Sequence, residues 1–144
     1  MKIINRQARW DYELKDRIEA GVVLSGAEAK SAKGGHIDLA NAFCKFRPGR
    51  FGVELWVHNL HIYPYPHADN TNYDPKRTRK LLVHKKEIVA LQSRMKQARL
   101  LLIPTAMYTH SGLIKLELSL ARGKRIYEKR EAIKRRDLDR EMSL

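Results

Sequence analysis

The sequence predicts a mainly β domain: a small, closed or nearly closed antiparallel barrel with about three peripheral α-helices and a basic C-terminal tail. Three observations carry this. Short segments with strand periodicity outnumber segments with helical periodicity, and Pro and Gly fall singly or in short clusters between them, as loops would. No internal repeat occurs, and 144 residues make about one domain, which buries roughly two-thirds of its unfolded surface without staples. Many short strands in so small a domain leave edges exposed unless the sheet closes on itself, so a barrel is the economical arrangement.

The first strand signal is Tyr12, Leu14 and the apolar run from Ala20 to Leu24. Ser25 is followed three residues later by Glu28, a capping box that starts a short helix, and the Gly34-Gly35 pair ends it. Phe43 to Phe46 and Phe51 to Leu60 read as strands joined around Pro48-Gly49. Val53, Leu55 and Val57 share one face of the second strand, and Glu54, Trp56 and His58 share the other. Pro64 to Pro75 is a polar loop. From Lys85 to Ala98, the residues Ile88, Leu91 and Met95 recur at helical spacing and predict an amphipathic helix. Leu100 to Ile103 reads as a buried strand, and Tyr108 leads into a turn at Ser111-Gly112. Ile114, Leu116, Leu118 and Leu120 then alternate with Lys115, Glu117 and Ser119. From Gly123 onward the apolar residues are too few and too irregular for a core stripe. The division is therefore a barrel over 1–122 and a tail over 123–144, disordered when free and helical once an anion neutralises it.

The charge is large and unevenly placed. Twenty-nine Lys and Arg against 16 Asp and Glu give +13, with a pI near 10.1, which points to a polyanionic partner. Residues 1–75 contribute only +1 and residues 100–120 contribute nothing, whereas 76–99 contribute +8 and 121–144 contribute +4. A solvated surface disperses its cations, so this clustering favours nucleic acid. In the cluster Lys76, Arg77, Arg79, Lys80, four cations within five residues repel one another unless a polyanion neutralises them. Trp10 fits a core residue, whereas Tyr127, flanked by Arg125 and Lys129, fits a base-stacking aromatic.

Other chemistries are poorly supported. The longest aliphatic run, Leu100 to Ile103, stops at Pro104, far short of the roughly 20 residues a spanning helix needs, so no membrane contact is expected. The N-terminal segment has no apolar core of a secretory signal, and the single Cys44 rules out an internal disulfide framework, so a reducing cytosol is the expected compartment. His58 and His61 are three apart and point to opposite faces of a strand, which defeats joint metal ligation. No serine sits in a nucleophile elbow, no glycine loop cradles phosphate, Cys44 lies among strand aromatics, and Glu28 has a capping role. No enzyme activity, metal or cofactor is expected.

Several strings carry a more specific signal. Asn5-Arg6-Gln7-Ala8-Arg9, Glu19-Ala20-Gly21, Gly26-Ala27-Glu28-Ala29-Lys30-Ser31, Tyr73 through Leu82, and Ala121-Arg122-Gly123-Lys124-Arg125-Ile126-Tyr127 resemble the small protein B (SmpB) family, in order and over about Asn5 to Glu141. The resemblance implies an OB-like barrel that binds the tRNA-like domain of transfer-messenger RNA (tmRNA, SsrA RNA). It also implies delivery with elongation factor Tu to stalled ribosomes, the tail entering the empty mRNA channel near the decoding centre. By the same resemblance, tmRNA contacts fall on Glu19, Leu82 and Lys115; Arg77, Arg79 and Lys80 of the cation cluster, with Lys30, are expected to accompany them. The resemblance places the decoding-centre aromatic on Tyr127, followed by Lys129 and Arg130, and the tail cations Lys124, Lys134 and Arg135 complete the expected ribosome-binding set. A monomer in the cytoplasm is expected.

The chain departs from the family pattern at Ala29 and Ala32, where larger apolar residues are usual, at Glu128 in place of Asp, and in a tail that is shorter after Arg130. Two other readings compete. One is a general single-stranded RNA-binding OB protein, and the other is a small basic nuclease using His58 or His61.

Overall fold

The computed structural model describes residues 1–124, 130, 133–138 and 140. Its elements in chain order are β1 (Lys2–Ile4), α1 (Arg6–Asp11), β2 (Tyr12–Val22), α2 (Gly26–Lys33), β3 (Ile37–Asp38), β4 (Phe43–Gly49), β5 (Gly52–His58), β6 (His61–Ile62), β7 (Arg79–Leu82), α3 (Lys85–Ala98), β8 (Leu101–His110) and β9 (Leu113–Gly123). The pairings run β8-β4-β5-β7-β2-β9, and β9 pairs back onto β8, so six antiparallel strands form a ring. This ring is compatible with the OB-like architecture expected from the sequence. β1 joins β8 alongside, and β3 with β6 forms a separate two-stranded ribbon.

The strict alternation on β9 fills the ring. Ile114, Leu116, Leu118 and Leu120 are buried, and they meet Leu55 and Val57 of β5, Leu81 of β7 and Leu102 and Met107 of β8 in one core. Each such side chain contributes about 1.5–3 kcal/mol by leaving water. Ile88 and Leu91 of α3 are buried too, while Met95 packs against the core from its edge. Pro104 lacks an N–H and sits inside β8, where the register with β9 shifts between Pro104 and Ala106. The bulged Thr105 is buried, its hydroxyl donating to Glu117 Oε1 at 2.8 Å. In β2 a second register shift lies between Lys15 and Ile18, where Asp16 takes a positive φ of 54°.

The strand expected over Leu100 to Ile103 continues through Pro104 to His110 as β8, and five elements are absent from the sequence-based expectation. Helix α1 is one of them, and Asn5 builds its start: buried, it accepts from Ala8 N at 3.1 Å and donates to the carbonyls of Leu39 at 3.0 Å and Pro104 at 2.9 Å. The strands β1, β3, β6 and β7 were likewise not predicted; they span only two to four residues, too short for periodicity to register. The capping box at Ser25 is present as expected, with Glu28 N donating to Ser25 Oγ at 3.2 Å and Ser25 N donating to Glu28 Oε1 at 2.9 Å. Of the two glycines after α2, Gly34 stays right-handed at φ −78° and Gly35 makes the left-handed turn at φ 80°.

Glu28 does far more than cap. Its carboxylate, 2 % exposed, accepts from Arg79 Nε at 2.7 Å and from Arg77 Nε at 3.1 Å, and it also contacts Arg77 Nη2. Arg79 is fully buried, and its remaining donors reach the Leu60 carbonyl at 2.6 Å, the Arg77 carbonyl at 3.2 Å, the Pro75 carbonyl at 3.1 Å and Tyr73 Oη at 3.2 Å. Tyr73 Oη in turn donates to the Ile62 carbonyl at 2.8 Å. This node ties α2, β6, β7 and the 60–75 segment together. Burial by itself would raise the Glu28 pKa, but hydrogen bonds from Arg77, Ser25 N and Arg79, with the Arg79 charge, bring it down to about 2.

Two outcomes follow for stability. Glu28→Gln leaves the Arg79 cation buried without its counter-ion and is expected to lower the unfolding free energy by about 3–5 kcal/mol in urea titration. Because the folded-state pKa of Glu28 lies below its unfolded value, its contribution is complete above the ordinary carboxylate range. That contribution declines as pH falls toward about 2. A pH series from 6 to 2 is therefore expected to show a smaller acid-induced loss for Glu28→Gln than for the natural chain.

Candidate RNA-binding face

The closed ring brings together residues far apart in sequence. Gly21 on β2 lies directly opposite Leu82 on β7 and opposite Lys115 on β9. Lys115 lies opposite Tyr108 on β8, which lies opposite Lys2 on β1. Directly opposed residues share a sheet face. The neighbours Ala20, Leu81, Met107 and Leu116 are all buried, so the row Leu82, Gly21, Lys115, Tyr108, Lys2 faces outward. Gly21 is the narrow point: a Cβ there would stand 3.3 Å from Leu82 Cβ. Its missing side chain leaves a notch between Leu82, which is 57 % exposed, and Lys115.

Glu19, two residues before Gly21, is on the same face. Tyr108 Oη donates to Glu19 Oε2, and His110 Nδ1 lies 3.6 Å from Glu19 Oε1. The Tyr108 hydrogen bond holds the Glu19 carboxyl below its usual range. Reciprocally, desolvation and then the Glu19 carboxylate push the Tyr108 hydroxyl up to about 12. Glu19 is therefore an ionised acceptor with a fixed orientation. A concavity of about 990 Å³ is lined by Glu19, Gly21, Lys80, Leu82, Lys85 and Lys115, among others. At its rim, α3 begins at His84 without a side-chain cap; in its first turn Lys85 and Lys86 oppose the helix dipole while Glu87 complements it. Each such cation costs about 0.3–1 kcal/mol at low salt, a penalty that a phosphate brought close would relieve.

Glu19, Leu82, Lys115 and Lys80 thus meet around one surface, although Lys80 already pairs with Glu54 at 3.0 Å. Arg77 and Arg79 do not belong to it. Arg79 is fully buried, and Arg77 is partly buried on the same Glu28 carboxylate. The expectation that Arg79 contacts RNA phosphate is thereby corrected: its charge is neutralised inside the protein. So is the expectation that this cation cluster needs an external polyanion, since only Lys76 within it has no acidic partner among the described residues. Lys30 lies on α2, with its ammonium 5.6 Å from the Tyr65 ring centroid.

In the tail, Lys124 N donates to the Asp11 carbonyl and Lys124 Nζ to the Arg9 carbonyl, both at 3.0 Å, which fixes the chain exit against α1. Arg130, Lys134 and Arg135 are helical and exposed, and the Arg136 guanidinium lies 5.5 Å from the Trp10 ring centroid. Trp10 is therefore a half-buried contact for the tail and not a core residue. Tyr127 and Lys129 lie outside the described residues.

The other candidate chemistries find no constellation. His58 stacks on Phe43, His61 packs on Tyr63, and burial pushes the Cys44 thiol up, away from the reactive thiolate. Among the described residues, no three His, Cys, Asp or Glu side chains converge on a metal position. Sequence reasoning missed Gly21, Tyr108 and His110 as parts of the face. Tyr108 was legible only as the approach to a turn, because its partnership with Glu19 depends on β-sheet register.

Comparison with known proteins bears on this arrangement. An SsrA-binding protein of Mycobacterium leprae is 44 % identical over 138 residues, covering 96 % of this chain and 84 % of that one. The SsrA-binding protein of Corynebacterium efficiens is 47 % identical over 139 residues, covering 96 % and 82 %. A solved chain from "tmRNA-SmpB: a journey to the center of the bacterial ribosome" superimposes with a TM-score of 0.70 at 40 % identity, covering 92 % of this chain and 94 % of that one. The family profile described as "SmpB protein" matches residues 2–144, and the chain belongs to the SmpB family.

Proposed function

We propose that this protein is an RNA-binding factor of trans-translation that binds the tRNA-like domain of tmRNA and brings it to stalled ribosomes. The observation that carries the reading is the convergence of Glu19, Leu82 and Lys115, spread over nearly a hundred residues of sequence, on one outward face of the ring. The face has the parts for folded RNA: Lys115 for phosphate, Leu82 as an apolar contact and Gly21 as a point of close approach. It acts by binding and not by catalysis.

The division of labour supported by the charge distribution assigns the barrel, residues 1–122, to tmRNA and the tail, residues 123–144, to ribosomal RNA. Lys124, Tyr127, Lys129, Arg130, Lys134 and Arg135 then line the empty mRNA channel, with Tyr127 stacking near the decoding centre. Elongation factor Tu accompanies the RNA in delivery, in the cytoplasm.

Lys115→Glu is expected to weaken binding of the isolated tRNA-like domain at least tenfold in filter binding. It also flattens the log–log salt slope by about 1, the loss of one phosphate contact. Tyr108→Phe removes the hydrogen bond that orients Glu19 and is expected to weaken the same binding by about 3- to 10-fold without changing the salt slope. Binding of unstructured RNA of equal length as tightly as the tRNA-like domain would instead establish a general single-strand binder. Deleting residues 127–144 is expected to leave affinity for the tRNA-like domain unchanged and to abolish tagging of proteins on stalled ribosomes. Retained tagging would overturn the division between barrel and tail.

A further inference from the structure

The outer face of the β4–β5 hairpin is built differently from the face described above. Cys44, Leu55 and Val57 point into the core, which turns Phe43, Lys45 and Arg47 of β4 outward against His58, Trp56 and Glu54 of β5 in direct register. The outward groups interlock. The Phe43 and His58 rings stack with centroids 5.1 Å apart and planes 5° from parallel. Lys45 Nζ lies 5.4 Å from the Phe43 centroid, and the Arg47 guanidinium lies 4.1 Å from the Trp56 centroid. Trp56 is opposite Lys80 on β7, so the ladder runs without a break toward Leu82 and the concavity.

We infer that this ladder is a second RNA-contacting surface, one that takes unpaired bases by stacking and their phosphates by Lys45 and Arg47. Rings and guanidinium planes are the groups on which single-stranded bases stack, and cations interleaved with them follow the backbone. Arg47 is held on Trp56 before any ligand arrives, so ordering it on binding costs less rotamer freedom. The one acid of the ladder, Glu54, is engaged by Lys80. Burial, then the charges of Lys45 and Arg47, hold the His58 imidazole below its ordinary pKa, so near neutral pH it stacks as an uncharged ring. A protein partner fits less well, since the centre of a protein interface is depleted of charge and this face is not.

The inference rests on the RNA-binding reading above only for the class of partner, and the test separates the two. With Trp10→Phe, Trp56 is the sole indole. Its emission is followed on titration with an unstructured RNA of about 12 nucleotides, with the tRNA-like domain, and with small ribosomal subunits. The expected result is quenching by the short RNA, with a Lys45→Glu/Arg47→Glu variant binding it at least tenfold more weakly at an unchanged melting temperature. Whichever large RNA also quenches Trp56 identifies the source of the bases. Emission unchanged by all three RNAs, or a double variant that binds like the natural chain, would overturn the inference while leaving Lys115-dependent binding of the tRNA-like domain intact. Loss of tRNA-like binding with quenching by the short RNA retained would overturn the proposed function and leave the ladder standing.

Discussion

The buried carboxylate of Glu28 is the constraint on which the rest of this structure depends. Helix α2 is short, and Ala29 and Ala32 give it little apolar surface with which to grip the barrel. It is held by polar geometry: Glu28 reaches Arg77 and Arg79, and Ser31 Oγ donates to the Tyr63 carbonyl at 2.6 Å. Through Arg79 the same carboxylate reaches the carbonyls of Leu60 and Pro75, so β6 and the irregular polar segment after it are pinned at both ends. A buried pair of this kind is poor evidence of net stabilisation, because desolvating two charges offsets most of their attraction. Its effect is to specify a single arrangement. β7 begins at Arg79, and the placement of this strand sets where Lys80 and Leu82 emerge on the outer face.

The node changes what the charge of the chain means. Residues 76–99 carry a +8 excess, which read as a line of sequence looks like one dense cationic patch. In three dimensions Arg77 and Arg79 are spent on Glu28, Lys80 is paired with Glu54, and Arg94 lies 3.2 Å from Asp16. Of the other cations in this stretch, Lys76 precedes β7, Lys85 and Lys86 open α3 beside Glu87, and Lys96 and Arg99 close it; none of the five has an acidic partner among the described residues. Most of the unpaired positive charge thus lies at the two ends of α3 and not in the segment that carries the densest sequence cluster. Net charge counted along a chain identifies the class of partner, whereas pairing across the fold determines where that partner is met.

How much was legible follows from the range of each interaction. The amphipathic α3 and the alternating β9 were readable because their periodicity is internal to one segment, and the Ser25–Glu28 capping box spans three residues. The strand β7 was not, since its four residues are too few to show a period and the cations around them pointed to contact with a polyanion. Within the site, Glu19 and Leu82 lie in the strings that resemble a family and Lys115 follows from the resemblance as a whole, while their meeting at Gly21 depends on register across three strands. Arg79 was misplaced for a related reason. Nothing local distinguishes an exposed arginine from one buried on a carboxylate 51 residues away.

If the proposed function holds, Glu19 on this face needs its own explanation, because its carboxylate repels phosphate. It can favour RNA only where it accepts a hydrogen bond from a 2′-hydroxyl or a base amino group, which places those groups, and not the backbone phosphates, against it. Such a contact is useful only if the carboxylate stays ionised and oriented, the two conditions that Tyr108 secures by donating to Glu19 Oε2. Lys115, in the adjacent register position, supplies attraction that any RNA backbone would satisfy. Glu19 adds a penalty that only a particular arrangement of hydroxyl and amino groups removes. On the proposed function, affinity and discrimination fall to neighbouring residues of opposite charge on one face. The fixed register between β2, β8 and β9 keeps the attractive and repulsive groups at constant spacing while the RNA is selected.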